Sequence, residues 1–127
     1  MTFARRVFLI ASIYGLIVLF PLYFMEAKTG RDFPPPITHP EYYYGFVGLA
    51  LVCQIFFLVI STDPRRYRPM MIPAVLEKAS FGIPVLILFA QNRVPFLMVV
   101  TAIPDLILGV LFFVAYLKTP SNHQAIA

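Results

Sequence analysis

Four apolar runs, each about as long as a helix needs to cross a bilayer, dominate this 127-residue chain. A spanning helix takes about 20 largely apolar residues, at a rise of about 1.5 Å each. Four segments qualify: about Val7–Met25, Tyr42–Ser61, Ile72–Ala90 and Val94–Leu117. None alternates polar and apolar residues. A closed β-barrel, the other way to pair every backbone group inside lipid, is therefore rejected. The connections are short, so neighbouring helices run antiparallel. The sequence predicts an all-α polytopic membrane protein: a four-transmembrane-helix, up-down antiparallel bundle forming one domain over residues 1–127.

Composition closes off other classes. The chain is 60% hydrophobic and 13% charged, with a mean hydropathy of +0.81. A soluble chain this small could not bury that much apolar surface, and disorder is excluded by the same figures. The ten Lys and Arg sit between apolar runs and do not form a patch, so no nucleic-acid partner is expected. The single cysteine, Cys53, lies inside a run, and no Cys-x-x-Cys or Cys/His cluster exists. No internal disulfide, zinc site, other metal or cofactor is expected. P-loop, dinucleotide, nucleophile-elbow and His-x-x-x-His patterns are absent.

The first run follows Arg5 and Arg6, as a signal peptide would. It is too long for an h-region and no Ala-x-Ala site follows before Lys28, so it reads as a retained helix. Basic residues give an orientation. Arg5, Arg6, Arg65, Arg66, Arg68 and Lys118 fall on one side, against Lys28, Arg31 and Arg93 on the other. By the positive-inside rule both termini and the Asp63–Pro69 loop are cytoplasmic, in a cell inner membrane. Tyr23, Phe24 and Tyr42–Tyr44 then form an outer aromatic belt, with Tyr67 and Tyr116 at the inner interface. The longest connection, Glu26 to Pro40, contains Pro34-Pro35-Pro36 and predicts a stiff polyproline II segment across the outer mouth. The basic loop sets orientation, with anionic lipid contact as its sharper reading.

Charges inside a span cost at least about 2.5–3.5 kcal/mol and mark candidate sites. They are Glu77 and Lys78 in the third span and Asp105 in the fourth, with the polar Gln54 in the second and Tyr14 in the first. Their depths fall within about two turns of one level. Converging, they predict a single polar cluster in the inner half of the bundle. Helical spacing groups Thr101, Asp105, Gly109, Phe112 and Tyr116 on one face. Pro73, Glu77, Ser80 and Pro84 form a second, and Val47, Ala50, Gln54 and Ser61 a third. Pro84 and Pro104 free the carbonyls of Ser80 and Val100, which must face protein, water or ligand. Lys78 is the available intramembrane cation, so an Asp105–Lys78 pair is expected. The alternatives stay open: Glu77 and Lys78 near the inner headgroups, with Lys78 reaching back to them, and Asp105 or Gln54 as helix-packing groups.

Small multidrug-resistance transporters are four-helix chains of similar size, but their coupling acid lies in the first helix, and Val7–Met25 has none. An outer loop ending in prolines, then Leu51–Gln54, Phe56-Phe57 and a basic loop loosely resemble another module. It is the four-helix module shared by emopamil-binding protein, a sterol isomerase, and the sigma-2 receptor. That resemblance implies a cavity with acidic groups for a lipophilic, often cationic, molecule. The polar residue nearest that module's second-helix acid is Gln54, and no catalytic residue is carried over.

The expected function is binding. Tyr14, Gln54, Glu77, Lys78 and Asp105 would line the polar end of a pocket for a lipid-like or hydrophobic ligand. The chain could equally serve as an accessory subunit. Expected partners are membrane lipids, with a larger membrane complex or a homo-oligomer as further options. The alternatives are a proton-coupled transporter using Asp105 or Glu77, and an enzyme using both carboxyls on a lipophilic substrate.

Overall fold

A computed structural model describes residues 2–121; residues 1 and 122–127 of the expected domain lie outside them. Among the described residues every regular element is helical: α1 (Phe3–Leu19), α2 (Glu26–Asp32), α3 (Pro40–Thr62), α4 (Met71–Ala90) and α5 (Phe96–Lys118). Four of these are long and apolar enough to cross a membrane, α1 with a 3-10 extension to Phe24 and α4 with a 3-10 lead-in from Arg68. The chain is a multi-pass membrane protein built as a four-helix bundle.

Local chemistry sets the helix ends. The Thr2 hydroxyl accepts from the Arg5 amide at 3.2 Å, capping α1. The first helix therefore starts at Phe3, ahead of the apolar run. Pro21 cannot donate to the ladder, and from Phe20 the chain tightens into the 3-10 turn. Pro40 opens α3 at a position whose N–H has no helical partner anyway. At the end of α5, the Arg68 Nε donates to the carbonyls of Tyr116 (3.2 Å) and Thr119 (2.6 Å). Its guanidinium also lies over the Tyr116 ring, 3.9 Å from the centroid. One arginine of the basic loop is thus spent closing a helix terminus; Arg65 and Arg66 stay exposed.

Side-chain contacts give the topology. Phe8 of α1 stacks on Phe112 of α5 at 4.2 Å, and Phe57 of α3 meets the same ring edge-on at 4.9 Å. Met71, the first residue of α4, joins this cluster. The start of α1, end of α3, start of α4 and end of α5 therefore share one level, called here the terminal end. The helices alternate up and down. Around the aromatic trio, Ala4, Ala11, Ile60, Ala74 and Ala115 are buried, and this half of the bundle is solid.

The helices are unevenly associated. α1 packs along α3, α4 along α5, and α1 also touches α5, whereas α3 and α4 meet over only a few residues. Small residues allow the close approaches. A Cβ on Gly15 would overlap the Gln54 amide, one on Gly82 the Leu106 side chain, and one on Gly109 would come within 3.2 Å of the Lys78 Cβ.

Two sequence expectations need correction. The Glu26–Pro40 connection is not an extended polyproline strut: its first half is the helix α2. Glu26 begins that helix and Arg31 lies in its last turn, matching the helix dipole. Gly30 lies where a Cβ would sit 3.1 Å from the Pro36 Cα, so the proline stretch folds back against α2. The face expected on the third span also differs. Pro73, Ser80 and Pro84 are exposed, and the buried stripe of α4 is Met71, Ala74, Lys78, Gly82 and Val85.

Candidate functional site

Beyond the solid half the four long helices enclose a cavity of about 430 Å³, which reaches up to α2. That size suits a small-molecule ligand. The walls are largely apolar and include Leu22 and Val18 of α1, Phe46 and Ala50 of α3, Phe81 of α4 and Met98 of α5. Met25, Thr29, Asp32 and Phe33 close the end near α2.

Tyr14, Gln54, Glu77, Lys78 and Asp105 all line this one cavity. Lys78 is the centre of the polar floor. Its side chain is 5% exposed; its Nζ lies 3.2 Å from Asp105 Oδ1 and 3.5 Å from Glu77 Oε2. Lys78 donates to Asp105, and its Nζ also sits 5.2 Å from the centre of the Phe57 ring. It reaches across to α5 and does not stretch back along its own helix to the terminal interface. Asp105 also borders a smaller groove between α4 and α5, beside Ala79, Leu106 and Gly109.

The Gln54 amide donates from Nε2 to the Ala50 carbonyl at 2.9 Å, one turn earlier. Its Oε1 is buried against Gly15 and has no hydrogen-bond partner, which costs about 1–3 kcal/mol. Glu77 Oε2 is also buried without a hydrogen bond but faces the Lys78 ammonium. The Glu77 and Asp105 side chains, 25% and 23% exposed, are the polar groups of the floor that a cavity ligand can reach. Tyr14, at 42% exposed, contributes wall area and stands apart from this cluster.

The polar groups converge at the base of the hollow half, directly above the packed terminal core. Helix rise places Gln54 roughly 12 Å and Lys78 roughly 10 Å from the terminal ends of their helices. Both carboxylates face the same cavity, so they are not on opposite faces of the bundle.

Sequence reasoning missed several lining groups. Phe46, Phe81 and Met98 look like any other apolar span residue. Thr29, Asp32 and Phe33 lie in a segment read as a loop. Gly15 carries a usable signal: a glycine in the apolar stretch Ile13–Leu16 with no turn to make. Among the described residues no group of three His, Cys, Asp or Glu is placed to hold a metal ion. His39 instead pairs with Glu41 at 2.9 Å on the exposed surface. Comparison with known protein families, curated proteins and solved structures gives no match.

Proposed function

We propose that this membrane protein holds a lipid-like or hydrophobic molecule in the cavity between its four spanning helices. The carrying observation is the pairing of apolar walls with a polar floor in which the part-exposed Glu77 and Asp105 carboxylates are held by the buried Lys78. The ligand's apolar part fills the hollow half, and its polar end meets Gln54, Glu77, Lys78 and Asp105. The excess of arginine at the terminal end supports an orientation with both termini cytoplasmic in a cell inner membrane. The cavity then lies in the outer half of the bilayer.

Binding is favoured over proton-coupled transport and over acid–base catalysis. Both carboxylates lie within ion-pairing distance of the same ammonium. That arrangement builds a fixed floor. It does not set an acid opposite a base, and it leaves no lone carrier. The test is lipid retention through purification in mild detergent, compared between wild type, Asp105→Asn and Asp105→Leu. Retention should fall in both variants, further in the leucine variant, which removes the acceptor of the Lys78 hydrogen bond. Unchanged retention together with unchanged thermal stability would remove the proposal.

A further inference from the structure

We propose that the cavity is filled sideways from the bilayer, through the seam between α3 and α4, by an uncharged lipid whose polar end is a hydroxyl. This rests on the reading of the cavity as a lipid site and adds its entrance and the chemistry of its ligand.

The entrance follows from which sides are closed. Below, the stacked rings of Phe8, Phe57 and Phe112 seal the floor. Above, α2 lies over the mouth and is tied down. The Tyr43 hydroxyl donates to the Leu22 carbonyl at 2.6 Å, the Tyr44 hydroxyl donates to Glu26 at 3.0 Å, and Thr29 meets Tyr43 at 3.4 Å. The α1–α3 and α4–α5 pairs pack closely, and α1 meets α5 at the Phe8–Phe112 stack of the terminal half. The α3–α4 seam is the side with sparse packing. It is bridged by the rings of Phe46 and Phe81, 6.0 Å apart, and both rings also line the cavity. Phe46 is 48% exposed, and a Cβ on the neighbouring Gly45 would find nothing within 4 Å. Two aromatic rings can swing apart at little cost, whereas close helix packing fixes α1 on α3 and α4 on α5.

The chemistry of the head follows from the path and the floor. A ligand using this seam carries its polar end through hydrocarbon to the cavity floor. Phosphate and ammonium heads are costly there; a single hydroxyl is cheap by comparison and can donate to the Glu77 or Asp105 carboxylate, which line the cavity floor at 25% and 23% exposed.

Retinol, an intrinsically fluorescent lipid alcohol, is a suitable probe. The protein, in a Cys53→Ala background and reconstituted in nanodiscs, is loaded with retinol, and release into empty liposomes is followed by fluorescence. One variant carries Phe46→Cys and Phe81→Cys joined by a short bismaleimide; the other carries Thr29→Cys and Tyr43→Cys joined in the same way. Release is compared for each variant before and after joining, so that the unjoined protein is its own reference, and circular dichroism reports an intact fold. Joining the seam should slow release at least tenfold, and joining α2 to α3 should leave it within twofold. Slowing by the α2 link, alone or as strongly as by the seam link, overturns the lateral entrance. Retinyl acetate, which has no donor, should bind at least tenfold more weakly than retinol. Equal binding of the two overturns the hydroxyl assignment while leaving the cavity reading in place. If neither is retained, the cavity reading itself fails.

Discussion

Lys78 shows how a charged side chain is kept at membrane depth. It has a carboxylate on its own helix, another on α5, and an aromatic face below. The pairing with Asp105 was legible in the sequence, because an acid halfway along the fourth span needs a cation and Lys78 was available at a matching depth. Breaking a fully buried pair costs about 3–5 kcal/mol, an upper bound here, because Asp105 is 23% exposed and Lys78 keeps Glu77 when Asp105 is removed. Lys78→Met and Asp105→Leu should each lower unfolding stability in detergent, and the double variant should recover part of the loss. A strictly additive cycle would contradict the pairing. Glycines give a second residue-scale prediction. Gly15→Ala should cost about 1–3 kcal/mol, because the added methyl collides with the Gln54 amide. Gly45→Ala, with open space around it, should be neutral or stabilising by up to about 1 kcal/mol. Thermal melts of the two variants check both. Which glycines make room for a neighbour could not be read from spacing, since that depends on the rotation of two helices about each other.

The elements divide into those fixed by hydrophobic length and those fixed by tertiary contact. The four spans belong to the first kind, and the sequence showed them plainly. α2 belongs to the second. At seven residues it is too short to persist alone, because helix nucleation is costly; it survives through Tyr43, Tyr44 and the proline stretch folded against Gly30. Tyr43→Phe should remove its tie to Thr29 and the anchor of the preceding 3-10 turn at Leu22, for roughly 1 kcal/mol, and raise amide hydrogen exchange over Glu26–Asp32 while leaving α3 unchanged. Unaltered exchange there would show that the tether does not hold α2. The misjudged face of α4 has a similar origin. Ser80 donates to the Glu77 carbonyl of its own helix at 2.7 Å, so its hydroxyl needs no inward partner. Polarity at helical spacing therefore overstated how much of this face must turn inward.

The molecule as a whole is solid at one end and hollow at the other. Helices in a bilayer gain little by hiding apolar surface from lipid that is equally apolar, so their association depends on close packing and polar contacts. The terminal half obtains this from three interlocked phenylalanines and a set of alanines. The other half forgoes those contacts around about 430 Å³, and a void of that size forfeits dispersion energy on every wall. A lipid bound there, as proposed, would restore it, so occupancy and stability should rise together. Native mass spectrometry of the protein released from mild detergent tests this most directly, with Ala50→Phe, which projects a ring into the cavity, as the comparison. Wild type should carry one apolar adduct of lipid mass, and the Ala50→Phe protein, still folded by circular dichroism, should lose it. An adduct-free wild type, or equal occupancy in both proteins, would contradict the account.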